Sequence, residues 1–245
     1  MPRYKLTVEY DGQPFVGWQR QKDCFSVQGA LEKAILDFSG ETVTLQAAGR
    51  TDAGVHATGQ VAHLDLEKDV SLETLQNAIN HHLIPNPIAI VQATEVSPDF
   101  HARFSAVGRE YLYRIVNRRA PLVLDAGRAW NIPGLIEAEV MYEAGQRLIG
   151  NHDFTSFRSA ACQATSPVKT LDRLTVVRKG DEIRITVAAR SFLHHQVRNI
   201  VGTLKLIGEH KWTIDRIEAA LEAKNRAAAG PTAPAAGLYL TKVVY

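Results

Sequence analysis

An acid, a base and a hydroxyl sit close together in Ala48-Gly49-Arg50-Thr51-Asp52-Ala53-Gly54-Val55-His56, between glycines that let the chain turn sharply. An arginine two residues from Asp52 favours its charged form, because a nearby positive charge stabilises a carboxylate. A charged carboxylate suits a nucleophile better than a proton donor. The plainer reading is that Asp52 only closes a turn through its own backbone. Apolar, β-type residues on both sides, Val43-Thr44-Leu45 and Val61-Ala62-His63-Leu64, are expected to hold the loop ends on a sheet. Reactive groups tend to sit on loops carried by such a scaffold.

Other stretches pair cations with aromatic rings. Asp11 to Arg20 carries Phe15, Trp18 and Arg20, which suits stacking and phosphate pairing, or else a loop whose rings cover the edge of the core. His101-Ala102-Arg103-Phe104-Ser105 is followed closely by Arg109 to Arg114, where Tyr111 and Tyr113 share one face of a strand. Further on, Leu193, Val197, Ile200, Leu204 and Ile207 form an apolar helical stripe with His194, Arg198 and Lys205 along its flank. Arg198, at the edge of the buried face, can grip a carboxylate or phosphate through two nitrogens, which lysine cannot. His81-His82 and His194-His195 lack the i, i+4 spacing of a helical zinc site, and neither GxxxxGK[ST] nor GxGxxG occurs. No metal site and no nucleotide cofactor are expected.

The elements that must position these residues repeat one order. A strand over Lys5 to Tyr10 precedes a helix from an N-cap at Ser26 to about Phe38, then the two strands around Asp52, a helix capped by Ser71, and the strand Ile88 to Val91. The second half gives a strand over Glu110 to Val116, a helix over Ile136 to Ile149, and a hairpin of Leu171 to Val177 with Ile183 to Ala188. Helices over Phe192 to Gly208 and Thr213 to Lys224 follow, and then the strand Gly237 to Val244. Ala227 to Pro234 reads as an irregular surface loop. The β-α-β-β-α-β order, met twice, implies an α+β protein of two ferredoxin-like halves, residues 1–105 with the Asp52 loop and residues 106–245. Their antiparallel sheets are expected to form a central RNA-binding cleft.

Composition narrows the classes. The 245 residues are 45% hydrophobic and 22% charged, as in a soluble globular protein, and no apolar run reaches the roughly 18 residues of a membrane span. The N-terminus enters a strand pattern directly, so a cytoplasmic protein is expected. Cys24 and Cys162 are too few and too far apart for a disulfide framework. A net charge of +2 leaves any anionic partner to local patches.

Taken in order, several blocks resemble the tRNA pseudouridine synthase A (TruA) family nearly end to end. They are Glu9-Tyr-Asp-Gly, Gly17-Trp-Gln-Arg-Gln, Ser26-Val-Gln, Gly49-Arg-Thr-Asp-Ala-Gly-Val-His, Asp99-Phe-His-Ala-Arg-Phe-Ser-Ala and Arg109-Glu-Tyr-Leu-Tyr-Arg-Ile. Asn151-His-Asp-Phe-Thr-Ser-Phe-Arg, His194-His-Gln-Val-Arg-Asn-Ile-Val-Gly and Gly237-Leu-Tyr-Leu complete the set. The resemblance implies an isomerase that turns uridine into pseudouridine in the anticodon arm of tRNA, at tRNA positions 38 to 40, as a homodimer without cofactor or metal. It puts the catalytic aspartate on Asp52, the active-site tyrosine on Tyr111, the arginine that pairs with the aspartate on Arg198, and an RNA-contacting arginine on Arg50. Arg20, Arg103 and Lys205 are further candidates for tRNA phosphates. Glu110 stands where relatives can carry a base, which would thin the local positive patch. The alternative from another class is a non-catalytic RNA-binding or tRNA-chaperone protein, which would have no use for an acid facing RNA.

Overall fold

The computed structural model describes residues 1–245 and is a mixed α+β protein of two compact units, Met1–Val107 with Tyr239–Tyr245, and Gly108–Leu238. No helix is long and apolar enough to cross a membrane.

In the first unit, β1 (Arg3–Tyr10) lies between β3 (His56–Asp65) and β4 (Ile88–Val96), antiparallel to both, and the short β2 (Gln46–Ala47) pairs with β3. The order β4-β1-β3-β2 is the split arrangement that the element order implied. Alternation sets the faces of β1: Tyr4, Leu6, Val8 and Tyr10 are buried, while Arg3, Lys5 and Thr7 turn the other way. Helices α1 (Val27–Ser39) and α2 (Leu72–Leu83) bury Leu31, Ile35, Leu75 and Ile79. Both start as read from the sequence, since Ser26 Oγ accepts from Gly29 N at 3.2 Å and Ser71 Oγ from Thr74 N at 3.1 Å. The sheet face that carries Thr7 and Val61 has a smaller core of its own, in which Phe100 and Val243 pack on Ala48, Val61 and Ala102.

The second unit orders its sheet β5 (Gly108–Val116), β9 (Glu182–Ala189), β8 (Val168–Lys179), β7 (Gly150–Asp153), all antiparallel, with β6 (Trp130–Asn131) parallel to β5. The hairpin expected at Gly180 is present, with that glycine at φ 59. Helix α3 (Ala138–Gln146) is shorter than the expected Ile136 to Ile149, and Gly150-Asn151 opens β7. Helix α4 (Gln196–Gly208) approaches α3 closely at Gly208, where a Cβ would stand 2.6 Å from Met141 Cγ. Helix α5 is Arg216–Ala223.

Two expectations are corrected. Residues 192–195 are not helical, because His195 takes a left-handed conformation at φ 64 and α4 begins after it, so His194 does not share a helical flank with Arg198 and Lys205. The Ala227 to Pro234 tract is irregular but not superficial: Ala229, Gly230 and Ala233 are buried against α4. Gly202 permits this, since a Cβ there would lie 1.7 Å from Pro231 O. The final strand, β10 (Leu238–Val244), groups with the first unit. It runs parallel to β3, with Tyr239 opposite His56 and Leu240 opposite Ala57, and Thr241 O comes within 2.2 Å of where a Gly59 Cβ would be.

Candidate active site

The Asp52 loop is built by a second loop lying against it. Trp18 N donates to Thr51 O at 3.1 Å, Gly17 bridges Asp52, and Gly54 N reaches Phe15 O at 3.4 Å. Gly17 has φ 114, and a Cβ on it would stand 2.7 Å from Thr51 O; one on Gly12 would stand 2.1 Å from Val55 O. Only glycine allows so close a backbone approach. The second loop is in turn tied to α1, whose first amides, Val27 N and Gln28 N, donate to Gly17 O and Trp18 O at 3.2 and 2.9 Å. Helix amides that would otherwise lack partners therefore fix the loop that fixes Asp52.

Side chains complete the frame. Tyr10 Oη and Thr51 Oγ1 are 2.8 Å apart and buried. Buried His56 accepts from Gly12 N through Nδ1 at 3.0 Å and stacks on Tyr239 at 4.6 Å between ring centroids. Because Nδ1 accepts that amide proton, the Asp11 Oδ1 at 3.2 Å is a close neighbour and not its hydrogen-bond acceptor. Gln60, fully buried, donates from Nε2 to Gly49 O at 2.8 Å. Asp52 itself is half-buried and Arg50 is exposed, pairing with no carboxylate.

Phe15 and Trp18 are buried, packed on Phe25 and Tyr10 at centroid distances of 4.7 and 6.0 Å, so they line the core and cannot stack on a ligand. Arg20 keeps 58% of its side chain exposed, but its Nη1 lies 2.9 Å from Glu32 Oε2. Arg103 is exposed and stands over the Phe104 ring at 5.7 Å.

In the second unit, Tyr111 and Tyr113 do share a face of β5 and differ sharply in setting. Tyr113 is fully buried and donates from Oη to Pro234 O at 2.8 Å. Burial pushes its phenol well above the ordinary tyrosine range, with the Arg198 charge opposing in part. Tyr111 is only half-buried, with its ring edge-on to Phe192 at 5.1 Å. The guanidinium of Arg198 is oriented by donation from Nε to Ala233 O at 2.8 Å, while Ala233 N donates back to Arg198 O at 3.1 Å. Lys205 is only 18% exposed: it pairs with Glu209 at 2.7 Å and lies 5.8 Å over Trp130. Burial alone would raise the Glu209 carboxyl, but Lys205 and Lys211 together hold it below its ordinary value. Glu110 pairs with Arg173, so its charge is met within β5 and β8.

Sequence reasoning missed Arg226. Partly buried with no acidic partner, it donates to Gly230 O at 2.8 Å, Asn199 Oδ1 at 3.0 Å and Thr232 Oγ1 at 3.1 Å, and so binds the 229–234 strap to α4. The only signal in the sequence is an arginine opening an otherwise uncharged tract, which points to no particular partner.

The class of the protein follows from comparison with known sequences. The family model described as tRNA pseudouridine synthase matches residues 6–105 and 144–245, and the chain belongs to that family: it is a pseudouridine synthase, an isomerase. Within it, the chain is 62% identical over 245 residues to the tRNA pseudouridine synthase A of Rhodospirillum centenum, covering all of both chains. It is 63% identical to the protein of the same name from Paramagnetospirillum magneticum, covering all of this chain and 96% of that one, and 59% identical to that of Parvibaculum lavamentivorans over the full length of both. These relatives place it in the tRNA pseudouridine synthase A (TruA) family.

Proposed function

We propose that the protein isomerises uridine to pseudouridine in the anticodon arm of tRNA, at tRNA positions 38 to 40, with Asp52 as the catalytic nucleophile. The observation that carries this reading is the Asp52 loop: its backbone is fixed by a facing loop that glycine alone permits, and that loop is fixed by the first amides of a helix. Such rigidity is what a group needs when it must be aimed at a reacting atom. A turn with only a structural role would not need two layers of support.

The reaction breaks the N1–C1′ glycosidic bond, turns the base while it is held, and forms a C5–C1′ bond, with the proton at C5 lost to solvent and one taken up at N1. A carboxylate can begin it by attack at C1′ or C6 or by driving elimination at C2′, and each route needs the acid ionised. Arg198 is assigned to keep Asp52 charged and aimed, and Tyr111 to stack on the uracil and assist the late proton removal. Three features support these roles: Arg198 has an oriented guanidinium, Tyr111 is only half-buried, and Tyr113, the other tyrosine of that face, is fully buried. The uridine must leave its stack, which costs a few kcal/mol that phosphate contacts have to offset. Arg50, exposed in the first unit, suits that task better than Arg20 and Lys205, whose charges already face Glu32 and Glu209, and Arg103 is a further exposed candidate. The working form is assigned as a cytoplasmic homodimer, to be checked by solution mass.

The test is tritium release from a tRNA transcript labelled at uridine C5. Wild type should release label and Asp52→Ala should not, with unchanged circular dichroism. A wild type without release, or a mutant with equal release, overturns the reading; tRNA binding without release would mark a non-catalytic RNA-binding protein.

A further inference from the structure

The geometry points to Phe104 as a stacking platform for an unpaired nucleobase of the RNA substrate, with Arg103 adding positive charge beside it. This rests on the RNA-modifying reading above and adds a binding contact outside the Asp52 loop.

Phe104 is 74% exposed. Single exposed apolar residues are common, so exposure by itself decides nothing. What sets this one apart is the turn that carries it. All five backbone amides from His101 to Ser105 have acceptors: His101 N donates to Ser105 Oγ at 3.0 Å, Ala102 N to His63 Nδ1 at 3.1 Å, Arg103 N and Phe104 N to His101 Nδ1 at 3.1 and 3.4 Å, and Ser105 N to His101 O at 2.9 Å. Tyr245 Oη donates to Ala102 O at 2.8 Å from the end of the chain. A tip bound this fully loses little freedom when a ligand arrives.

The ring is also backed. His101 lies against it at 4.4 Å and 38°, and His101 in turn meets His63 at 4.8 Å, so the phenyl group continues a row of rings that reaches the sheet. The Arg103 guanidinium, 5.7 Å from the centre of the ring, puts a cation within reach of a nucleotide that meets its exposed part. A protein partner would be served by apolar neighbours around Phe104, whereas its sequence neighbours are Arg103 and Ser105. Aromatic stacking beside a cation is the means by which proteins hold unpaired bases without reading their sequence.

Phe104→Ala and Phe104→Trp in the full chain test this with a tRNA transcript as the probe. Phe104→Ala should raise KM roughly tenfold, the scale of one lost base stack, while kcat falls less than twofold. Phe104→Trp should restore KM, and the emission it adds over wild type should be quenched by the transcript but not by inorganic polyphosphate. An unchanged KM in Phe104→Ala, or equal quenching by polyphosphate, overturns the stacking assignment while leaving the synthase reading intact. A wild type that releases no tritium overturns both. Because the side chain is exposed, both variants are expected to keep the wild-type melting temperature.

Discussion

The hydroxyl of Tyr113, from a fully buried side chain, donates to the Pro234 carbonyl at 2.8 Å, while Tyr111, two residues earlier on the same face of β5, is only half-buried. The sequence Tyr-Leu-Tyr cannot distinguish the two, and the structure gives them different tasks. Removing the Tyr113 hydroxyl leaves a carbonyl of the strap without its donor.

Tyr113→Phe is therefore expected to lower stability by about 1 kcal/mol, the net worth of one hydrogen bond whose acceptor can still meet water, with turnover reduced less than tenfold. Tyr111→Ala is expected to do the reverse, with a melting temperature near wild type and kcat lower by about 10² or more, the scale of a lost proton-transfer group. Urea unfolding and tritium release on the two variants check both halves. Equal effects at the two positions would remove the distinction.

Arg226 makes the strap that orients Arg198 depend on a partly buried cation. Burial lowers its pKa, so its charge costs something to keep, and four acceptors on Asn199, Ala229, Gly230 and Thr232 offset that cost. Arg226→Met is expected to destabilise the fold by about 1–3 kcal/mol by orphaning buried acceptors. It is also expected to lower kcat at temperatures where the protein is still fully folded, since Ala233 would no longer hold Arg198. Arg226→Lys should recover less than half of either loss, because one ammonium cannot span the acceptors that a planar guanidinium reaches. Unfolding curves and turnover measured on the same samples separate the two effects.

His63 gives the fold a pH dependence of known sign. Burial, with help from Arg3 and His101, lowers its pKa below the ordinary histidine value of 6.5, against a smaller upward pull from Asp65. The unfolded chain then binds a proton more readily than the folded one, so stability is present above about pH 6.5 and is lost as the pH falls toward the folded-state pKa. The neutral form is also the one whose Nδ1 accepts from Ala102 N at 3.1 Å. His63→Gln keeps an acceptor and removes the titration, so its stability should change less than that of wild type between pH 7 and pH 5. Asp65, held below the usual carboxylate range chiefly by its hydrogen bonds to Arg3, adds a separate loss at lower pH, which both proteins should share.

Much of this was legible in sequence wherever the cause is local. Ser26 and Ser71 announce their helices because capping is a contact three residues long, and β1 shows its two faces because alternation is imposed by the pleat. Lys205 and Glu209 are four apart on one helix, so their pairing could have been read directly. What stayed hidden depends on distant partners or an unusual backbone. The left-handed His195 delays α4 by four residues although the apolar stripe runs on through Leu193. Arg20 meets Glu32, Arg226 meets Asn199, and the alanine-rich strap is buried because Gly202 makes room for it. Asp52 was found by its neighbours in sequence, but its frame is made by Gly12 and Gly17, some forty residues earlier by the order of the chain.

That frame can be tested one methyl group at a time. At Gly12 a Cβ would meet Val55 O at 2.1 Å, and at Gly17 it would meet Thr51 O at 2.7 Å with φ at 114; both obstacles are backbone and cannot swing aside. At Gly49, beside Arg50 in the same loop, a Cβ would meet nothing within 4 Å and no positive φ is required. Gly12→Ala and Gly17→Ala are each expected to cost about 1–3 kcal/mol, as overpacking does, and to displace Asp52 enough to lower turnover a hundredfold or so. Gly49→Ala should stay within about 0.5 kcal/mol of wild type and keep its turnover. Melting temperature and tritium release decide the matter. If all three alanines behaved alike, the facing loop would not be what aims the acid.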